Sequence, residues 1–287
     1  MAIGRAAEPA VFNGGNQNPY RSKKIKIKLL TKSSLAIRFT VWMLILLTIV
    51  GFLTFNYQNV KFFQGVKATL ANFKVIFLTP AFAHVTFFGA INELLVTLSL
   101  GVLTTILGAI IALFLGMFAA KNLSGRKTSN VIKECVAIVR AVPTVLWVLI
   151  FAVSAGLGSV AAVIGMSFHS ISYLTKAYSE SFEEINQGTI EALEGSGASW
   201  WQIIWQAVIP STMTSLISWT FIRFEVNFGV AVAMGAAAGA GGIGYDMYMD
   251  SSYYYNLHEM GVIAYLILIV AMLLEYSSVK IKDKIRA

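Results

Sequence analysis

The feature that most constrains this chain is a set of runs, each about 20 residues long, that carry almost no charge. A helix of that length crosses the hydrocarbon core of a bilayer while satisfying its own backbone hydrogen bonds. FTVWMLILLTIVGFLTF at 39–55 is the first such run. Others cover 92–120, 131–153 with Pro143 inside, 157–178, 210–236 and 261–277. The reading is an all-α polytopic membrane protein with six transmembrane helices. Composition agrees, because 57% of the 287 residues are hydrophobic and 13% charged. That leaves too little polar surface for a soluble enzyme and too little charge for a disordered chain. The single cysteine, Cys135, excludes a disulfide-stapled module and reads as a packed thiol.

The net charge is +8, and its placement decides what it means. Eight of the 22 Lys and Arg residues lie in the first 38 positions and four more in the last eight. They flank apolar segments and act as topology anchors in a lipid bilayer, so no nucleic-acid partner is expected. The outer connections hold only Lys61, Lys67 and Lys74, and an even span count then puts both termini in the cytoplasm. Residues 1–38 form a cytoplasmic N-terminal tail, loosely ordered over 2–20. No small-x-small pattern closes the first apolar run, so it reads as a retained span and not a cleaved signal. Residues 39–88 hold that span and an outer connection. Its Leu70, Phe73, Ile76 and Phe77 stripe fits an interfacial helix or packing on a neighbouring subunit. Residues 89–277 form the core transmembrane domain, with a cytoplasmic loop at 179–210, and 278–287 form a cytoplasmic C-terminal tail.

That loop contains no Lys or Arg but holds Glu180, Glu183, Glu184, Glu191 and Glu194. Two short helical stretches flank Gly195-Ser196-Gly197. In the second, Ser199 suits an N-cap, and Trp201, Ile204, Trp205 and Val208 share one apolar face. Pro210, with no amide hydrogen to donate, suits the first turn of the next span. The pattern fits either an amphipathic hairpin on the membrane surface or a knob that docks another protein.

Glu191-Ala192-Leu193, then Gly197, then Ile209-Pro210 resembles the EAA signature of ATP-binding-cassette importer permeases, with Leu193, Ala207 and Ile209 as apolar departures. The resemblance implies that Glu191, Ala192, Leu193, Gly197, Ile209 and Pro210 couple this chain to an ATPase subunit. A narrower similarity, over 92–277, is to the permeases of phosphonate importers. It is carried by VRAVPTVLW at 139–147, GLGSVAAVIGMSFHSISYLTKAYSESFEEI at 156–185, FIRFEVNF at 221–228 and GAGGIG at 239–244. It implies a type I importer permease fold in the cell inner (plasma) membrane. Two copies of the chain would form the pathway at a homodimer interface and work by alternating access. Two ATP-binding subunits would dock below, and an extracytoplasmic solute-binding protein would deliver a phosphonate, phosphite or phosphate. The chain itself would be no enzyme and hold no cofactor, ATP and Mg²⁺ being bound by the partner ATPase. SGRKTS at 124–129 has the Lys and Thr of a Walker A ending without its glycine pattern.

Charges within spans are costly and are paired or face a protein-lined cavity. Arg140, three residues before Pro143, reads as a snorkelling anchor or a gate residue. Arg223 and Glu225 are two positions apart, so on an ideal helix they point to different sides and need different partners. Arg223 suits an anion route or a structural ion pair, Glu225 the holding of an arginine, and Asn227 a polar contact across helices. His169 and Lys176 are seven apart and share a helix face, as a pathway lining or as interhelical contacts. The isolated His84, His169 and His258 have no ligand spacing, so no metal site is expected, and no catalytic triad is present. The AMGAAAGAGGIG of 233–244 permits tight packing, a kink, or a bend whose amides meet an anion. Tyr245, Tyr248, Tyr253, Tyr254 and Tyr255 follow as an aromatic belt or a landing surface. The readings from other classes are a self-contained secondary transporter or channel for a small anion, using Arg223, Glu225 and His169, and a non-transport membrane assembly factor.

Overall fold

The computed structural model describes residues 32–54 and 61–286, so the expectations for 2–20 and most of the basic run before residue 38 lie outside the described residues. Contacts divide the chain into two units, Met1–Lys61 and Phe62–Ala287. The first contains α1 (Lys32–Thr54), free of charge after Arg38. The regular elements of the second among its described residues are all helices: α2 (Phe62–Leu78), α3 (Phe87–Ala119), α4 (Arg126–Ala141), α5 (Thr144–Ala155), α6 (Ser159–Glu183), α7 (Gln187–Gly195), α8 (Trp200–Ile203), α9 (Ile209–Ala238), α10 (Ile243–Ser252) and α11 (Leu257–Arg286).

The expected six transmembrane helices are corrected by this structure. Among the described residues four helices are long and apolar enough to cross a membrane: Ser33–Thr54, Phe87–Ala119, Trp200–Ala238 and Leu257–Ile281. A fifth is reached only by counting α4 and α5 as one span, and these are bent by 84° at the Val142-Pro143 break. Proline both removes a donor and pushes its predecessor out of the helical region, so the run read as one interrupted span is two helices at an angle. The run at 157–178 is helical in α6 but not apolar enough. Short polar residues, among them Ser167, Ser170, Ser172, Thr175, Ser179 and Ser181, are buried along it. A count of four or five leaves parity undecided about whether the two termini share a side.

Small residues bring α6 close to its neighbours. A side-chain carbon at Gly165 would lie 2.5 Å from the Val148 backbone of α5, and one at Gly108 of α3 would lie 2.7 Å from Ser170. Pro210 stands in the first turn of α9, as expected, but no break precedes it. α8 continues through a wide turn at Ile204–Val208 into α9, and there Ile209 N–H bonds back five residues to Ile204 O. The expanded turn makes room for a proline ring that an α-helical turn would reject. The expected C-terminal tail at 278–287 is helical to Arg286 as part of α11.

The glycine-rich segment reverses the chain. α9 ends at Gly239 in the left-handed region (φ +59), and Gly241 and Gly242 also have positive φ. α10 then folds back on α9, close enough that a side chain at Gly235 would lie 2.8 Å from Gly241 O and Tyr245 N. The amides that open α10 are already occupied, Gly242 N–H by Glu93 Oε2 (3.0 Å) and Ile243 N–H by Thr97 Oγ1 (3.0 Å). The α2 stripe packs in part on the chain's own α11. Tyr265 Oη donates to Phe77 O at 2.7 Å and its ring meets Phe77 edge-on, while Leu70 and Phe73 stay exposed.

Candidate functional site

The loop at 179–210 folds as a hairpin built from local signals. Asn186 caps α7 by accepting from Gly188 N–H at 2.8 Å. At its other end Gly197 N–H donates to Glu194 O (2.9 Å) and Ala198 N–H to Leu193 O (3.1 Å). This paired closure requires a left-handed residue, which Gly197 supplies at φ +87. Gln202 Oε1 accepts from the backbone and hydroxyl of Ser199 at 2.7 and 2.8 Å, starting α8.

The hairpin is anchored on one side and open on the other. Ile190, Ile203, Ile204, Val208 and Ile209 are buried in one cluster with Ala112 and Met117 of α3, Phe182 of α6 and Leu216 of α9. Leu193 packs against that cluster, whereas Glu191, Ala192 and Glu194 are exposed. The expected apolar face is revised here, since Trp201 and Trp205 are half exposed and Ile203 is buried. The wide turn shifts the helical phase, and Trp200 is the inward indole. It stacks on Phe118 and donates Nε1–H to Leu123 O at 2.8 Å. Alongside, Glu183 Oε1 accepts from Lys133 Nζ (2.7 Å) and Lys121 N–H (2.8 Å). Asn122 Nδ2 donates to Phe182 O at 2.8 Å. The hairpin therefore rides on the ends of α3, α6 and α9 as one body.

The intramembrane candidates separate into two groups. Arg223 and Asn227 of α9 are buried inside the subunit, where Arg223 Nε–H donates to Ser170 Oγ (3.1 Å) and Asn227 Nδ2 to Thr105 Oγ1 (2.8 Å). The Arg223 guanidinium lies 5.5 Å from the Tyr173 ring centre, and its Nη2 has no hydrogen-bond partner. Glu225 is half-buried on another side of α9 and forms no ion pair among the described residues. Arg140, His169 and Lys176 form the second group. Arg140 is half-buried near the end of α4, and Lys176 is exposed on α6, 3.5 Å from Glu180. His169 lies within electrostatic reach of both Arg140 and Arg223.

Sequence reasoning missed a third arrangement, at the opposite end of α11 from its basic terminus. Glu259 is fully buried. Its Oε1 accepts from the backbone N–H groups of Ala83 (3.0 Å), His84 (2.9 Å) and Val85 (2.7 Å). Its Oε2 accepts from the His84 ring at 3.1 Å and from Asn256 Nδ2 at 3.3 Å. The only sequence signal was a carboxylate beside an apolar run. Ligand atoms of His84, Asp250 and Glu259 lie within 4.8 Å of one another, the nearest approach to a metal-binding set among the described residues. Glu259 spends its lone pairs on these donors, so an ion would have to displace the backbone cradle.

Asp250 of α10 is also buried, and its Oδ2 has no partner. Burial, then the charge of Glu259 beside it, pushes its carboxyl up to about 7, and burial with Glu93 and Glu259 pushes Asp246 up to about 6. His84 also faces Asp250 and, when protonated, acts in the opposite sense. A raised carboxyl favours the folded state while protonated in it. The stabilisation is complete below the ordinary carboxylate range and is lost as pH rises through the folded value. Purified Asp250→Asn protein should match wild type in thermal midpoint near pH 4, then exceed it by a margin that widens until about pH 7. A margin independent of pH would remove Asp250 as the titrating group.

Comparison with known proteins follows the same outline. Residues 112–281, more than half of the chain, match the family described as the binding-protein-dependent transport system inner membrane component. The chain is 30% identical over 190 residues to the phosphate-import permease protein PhnE of Mycolicibacterium smegmatis, covering 66% of this chain and 35% of that protein. It is 27% identical over 186 residues to the phosphite transport system permease protein PtxC of Stutzerimonas stutzeri, covering 64% and 67% of the two chains. The chain thus spans about a third of the mycobacterial relative's length and two thirds of the other's. A solved structure of the MetNI methionine ABC transporter in an inward-facing conformation superposes with a TM-score of 0.61 at 23% identity, covering 68% of this chain and 95% of that one. At that identity the likeness shows the fold alone.

Proposed function

Because this chain belongs to the family of binding-protein-dependent transport system inner membrane components, we propose that it is the permease subunit of an ATP-driven importer for a phosphorus oxyanion. The observation that carries the reading is the anchored hairpin of α7 and α8, whose Gly197 turn and exposed Glu191 and Ala192 form a knob with no role inside the subunit. In this reading two copies of the chain enclose the pathway and two ATPase subunits, holding ATP and Mg²⁺, seat on the knobs. A solute-binding protein delivers the anion to the opposite face, where Tyr253 and Tyr255 are exposed.

The geometry suggests how force would pass. The knob shares one apolar cluster with α3, α6 and α9, so an ATPase that draws two knobs together moves the ends of those helices with them. Pro210 and the wide turn lie where α9 must absorb that displacement. Arg140 and Lys176 give α4 and α6 a positive lining suited to an anion, with His169, Glu225 and the buried Arg223 and Asn227 setting the helix contacts around it. In this reading the basic residues at 121–133 and in the tails favour the cytoplasmic side for the hairpin and for both termini.

Copurification tests this. The tagged chain should recover an ATPase whose turnover rises with phosphate, phosphite or a phosphonate in the presence of the binding protein. Uptake by this chain alone would replace the reading by a secondary transporter. A second substrate class has its own support, because the chain is 28% identical over 159 residues to a probable D-methionine transport system permease protein of Pasteurella multocida, covering 52% of this chain and 73% of that protein. Turnover stimulated by methionine and not by oxyanions would select it.

A further inference from the structure

A crevice on the hairpin side of the subunit, between the end of α3, α4 and α6, has a composition that neither the knob nor the buried α9 cluster explains. Its volume is about 360 Å³, within the ~300–1,000 Å³ usual for small-molecule sites. Lys121, Lys133, Arg140 and Lys176 line it against two carboxylates, Glu180 and Glu183. The carboxylates do not consume these cations equally. Glu183 is committed to Lys133 Nζ and to the backbone N–H of Lys121. Glu180 meets Lys176 at 3.5 Å in an exposed pair, which holds its partner weakly. Arg140 and the Lys121 ammonium have no carboxylate partner among the described residues.

A second observation concerns the wall of the same crevice. Thr175, also in the lining, is 1% exposed and its hydroxyl has no hydrogen-bond partner. Its neighbours on α6 do not behave this way, since Ser170 and Ser181 return their hydroxyls to Met166 O and Ala177 O at 3.0 Å. A buried hydroxyl left unpaired beside unpaired cations is what a bound oxyanion would satisfy. The guanidinium offers parallel donors to two oxygens, the ammonium a point charge, and the hydroxyl a third donor.

We propose that this crevice binds a phosphate-class oxyanion through Arg140, Lys121 and Thr175. This deepens the importer reading by naming where the solute class is held near the hairpin. The same chemistry would hold the phosphate of an anionic lipid headgroup, and the two sources are separable by experiment.

Equilibrium binding of inorganic phosphate to the delipidated full chain, with retention of phosphatidylglycerol measured by native mass spectrometry, is the test. Saturable phosphate binding that weakens about tenfold or more in Arg140→Gln, Thr175→Val and Lys121→Gln is the expected result. Phosphatidylglycerol retained by wild type and lost from the same variants, without free phosphate binding, also supports the site and assigns it to lipid. Thr175→Val is nearly isosteric, so it carries the test if Arg140→Gln fails to fold. Wild type that binds neither, or variants that bind as wild type does, overturn the inference. Recovery of the ATPase is scored on the same samples. Association with no binding overturns the crevice and leaves the importer reading, and binding with no association does the reverse.

Discussion

G197V should reach the membrane in normal amount and lose solute-stimulated ATP turnover in the assembled complex. Gly197 holds φ +87 to close α7 on itself, and an L-residue in that region costs about 1–2 kcal/mol, more when the side chain is branched at Cβ. The strain is relieved by opening the two hydrogen bonds to Glu194 and Leu193, which tilts the exposed Glu191 relative to the anchored Trp200. No atom lies within 4 Å of a side-chain carbon built at this position, so the subunit itself is not crowded and its fold is spared. The defect falls on the docking surface, and the strain corresponds to a loss of about tenfold in docking-competent hairpins. G197A carries the same strain without the branch and should lose less. E191Q keeps the backbone and removes only an exposed charge, so its loss should be smaller still. Membrane abundance, complex recovery and stimulated turnover, read on the same samples, decide the matter. Wild-type turnover in G197V would take the hairpin out of coupling.

Glu259→Ala is expected to destabilise the end of the molecule opposite the hairpin by about 1–3 kcal/mol, because it removes the shared acceptor of three part-buried backbone donors at once. The N–H groups of Ala83, His84 and Val85 converge on the Glu259 carboxylate, and no other residue among those described accepts from them. Glu259→Gln keeps one amide oxygen for these three donors but turns an NH₂ toward the His84 ring and Asn256, so it should fall between wild type and alanine. Thermal unfolding gives the overall cost, and limited proteolysis at 79–86 locates it. The hairpin should stay intact in both variants, leaving ATPase association measurable on folded protein at low temperature. A Glu259→Ala protein with the wild-type midpoint and protease pattern would show that the cradle adds no stability.

The hairpin was legible in the sequence because its determinants are local. Gly197 and Ser199 act on backbone groups within a few residues of themselves, so cap and turn chemistry suffices to place them, and Asn186 and Gln202, which the structure added, act over the same short range. The inward and outward faces of α8 were not legible. Trp201 and Trp205 fall at helical spacing with Ile204 and Val208, but the wide turn needed to accommodate Pro210 breaks that spacing and hands the anchoring role to Trp200. Counting spans failed at 157–178 because the Val, Ile, Met and Phe residues of that run make it look apolar, whereas the Ser and Thr residues between them, buried against neighbouring helices, keep it less apolar than a span requires.

By itself the sequence determined the class of the protein, since uncharged runs of span length must be helical in a bilayer. It also determined the position of the glycine turn, since a residue that tolerates positive φ can be read one position at a time. Only the tertiary structure decided which charges are satisfied and by what. Arg223 meets Ser170, 53 residues away, and Glu259 meets Ala83 and Val85, 176 and 174 residues away. A buried charge takes its free energy from groups within a few ångströms, and the fold, not sequence spacing, selects those groups.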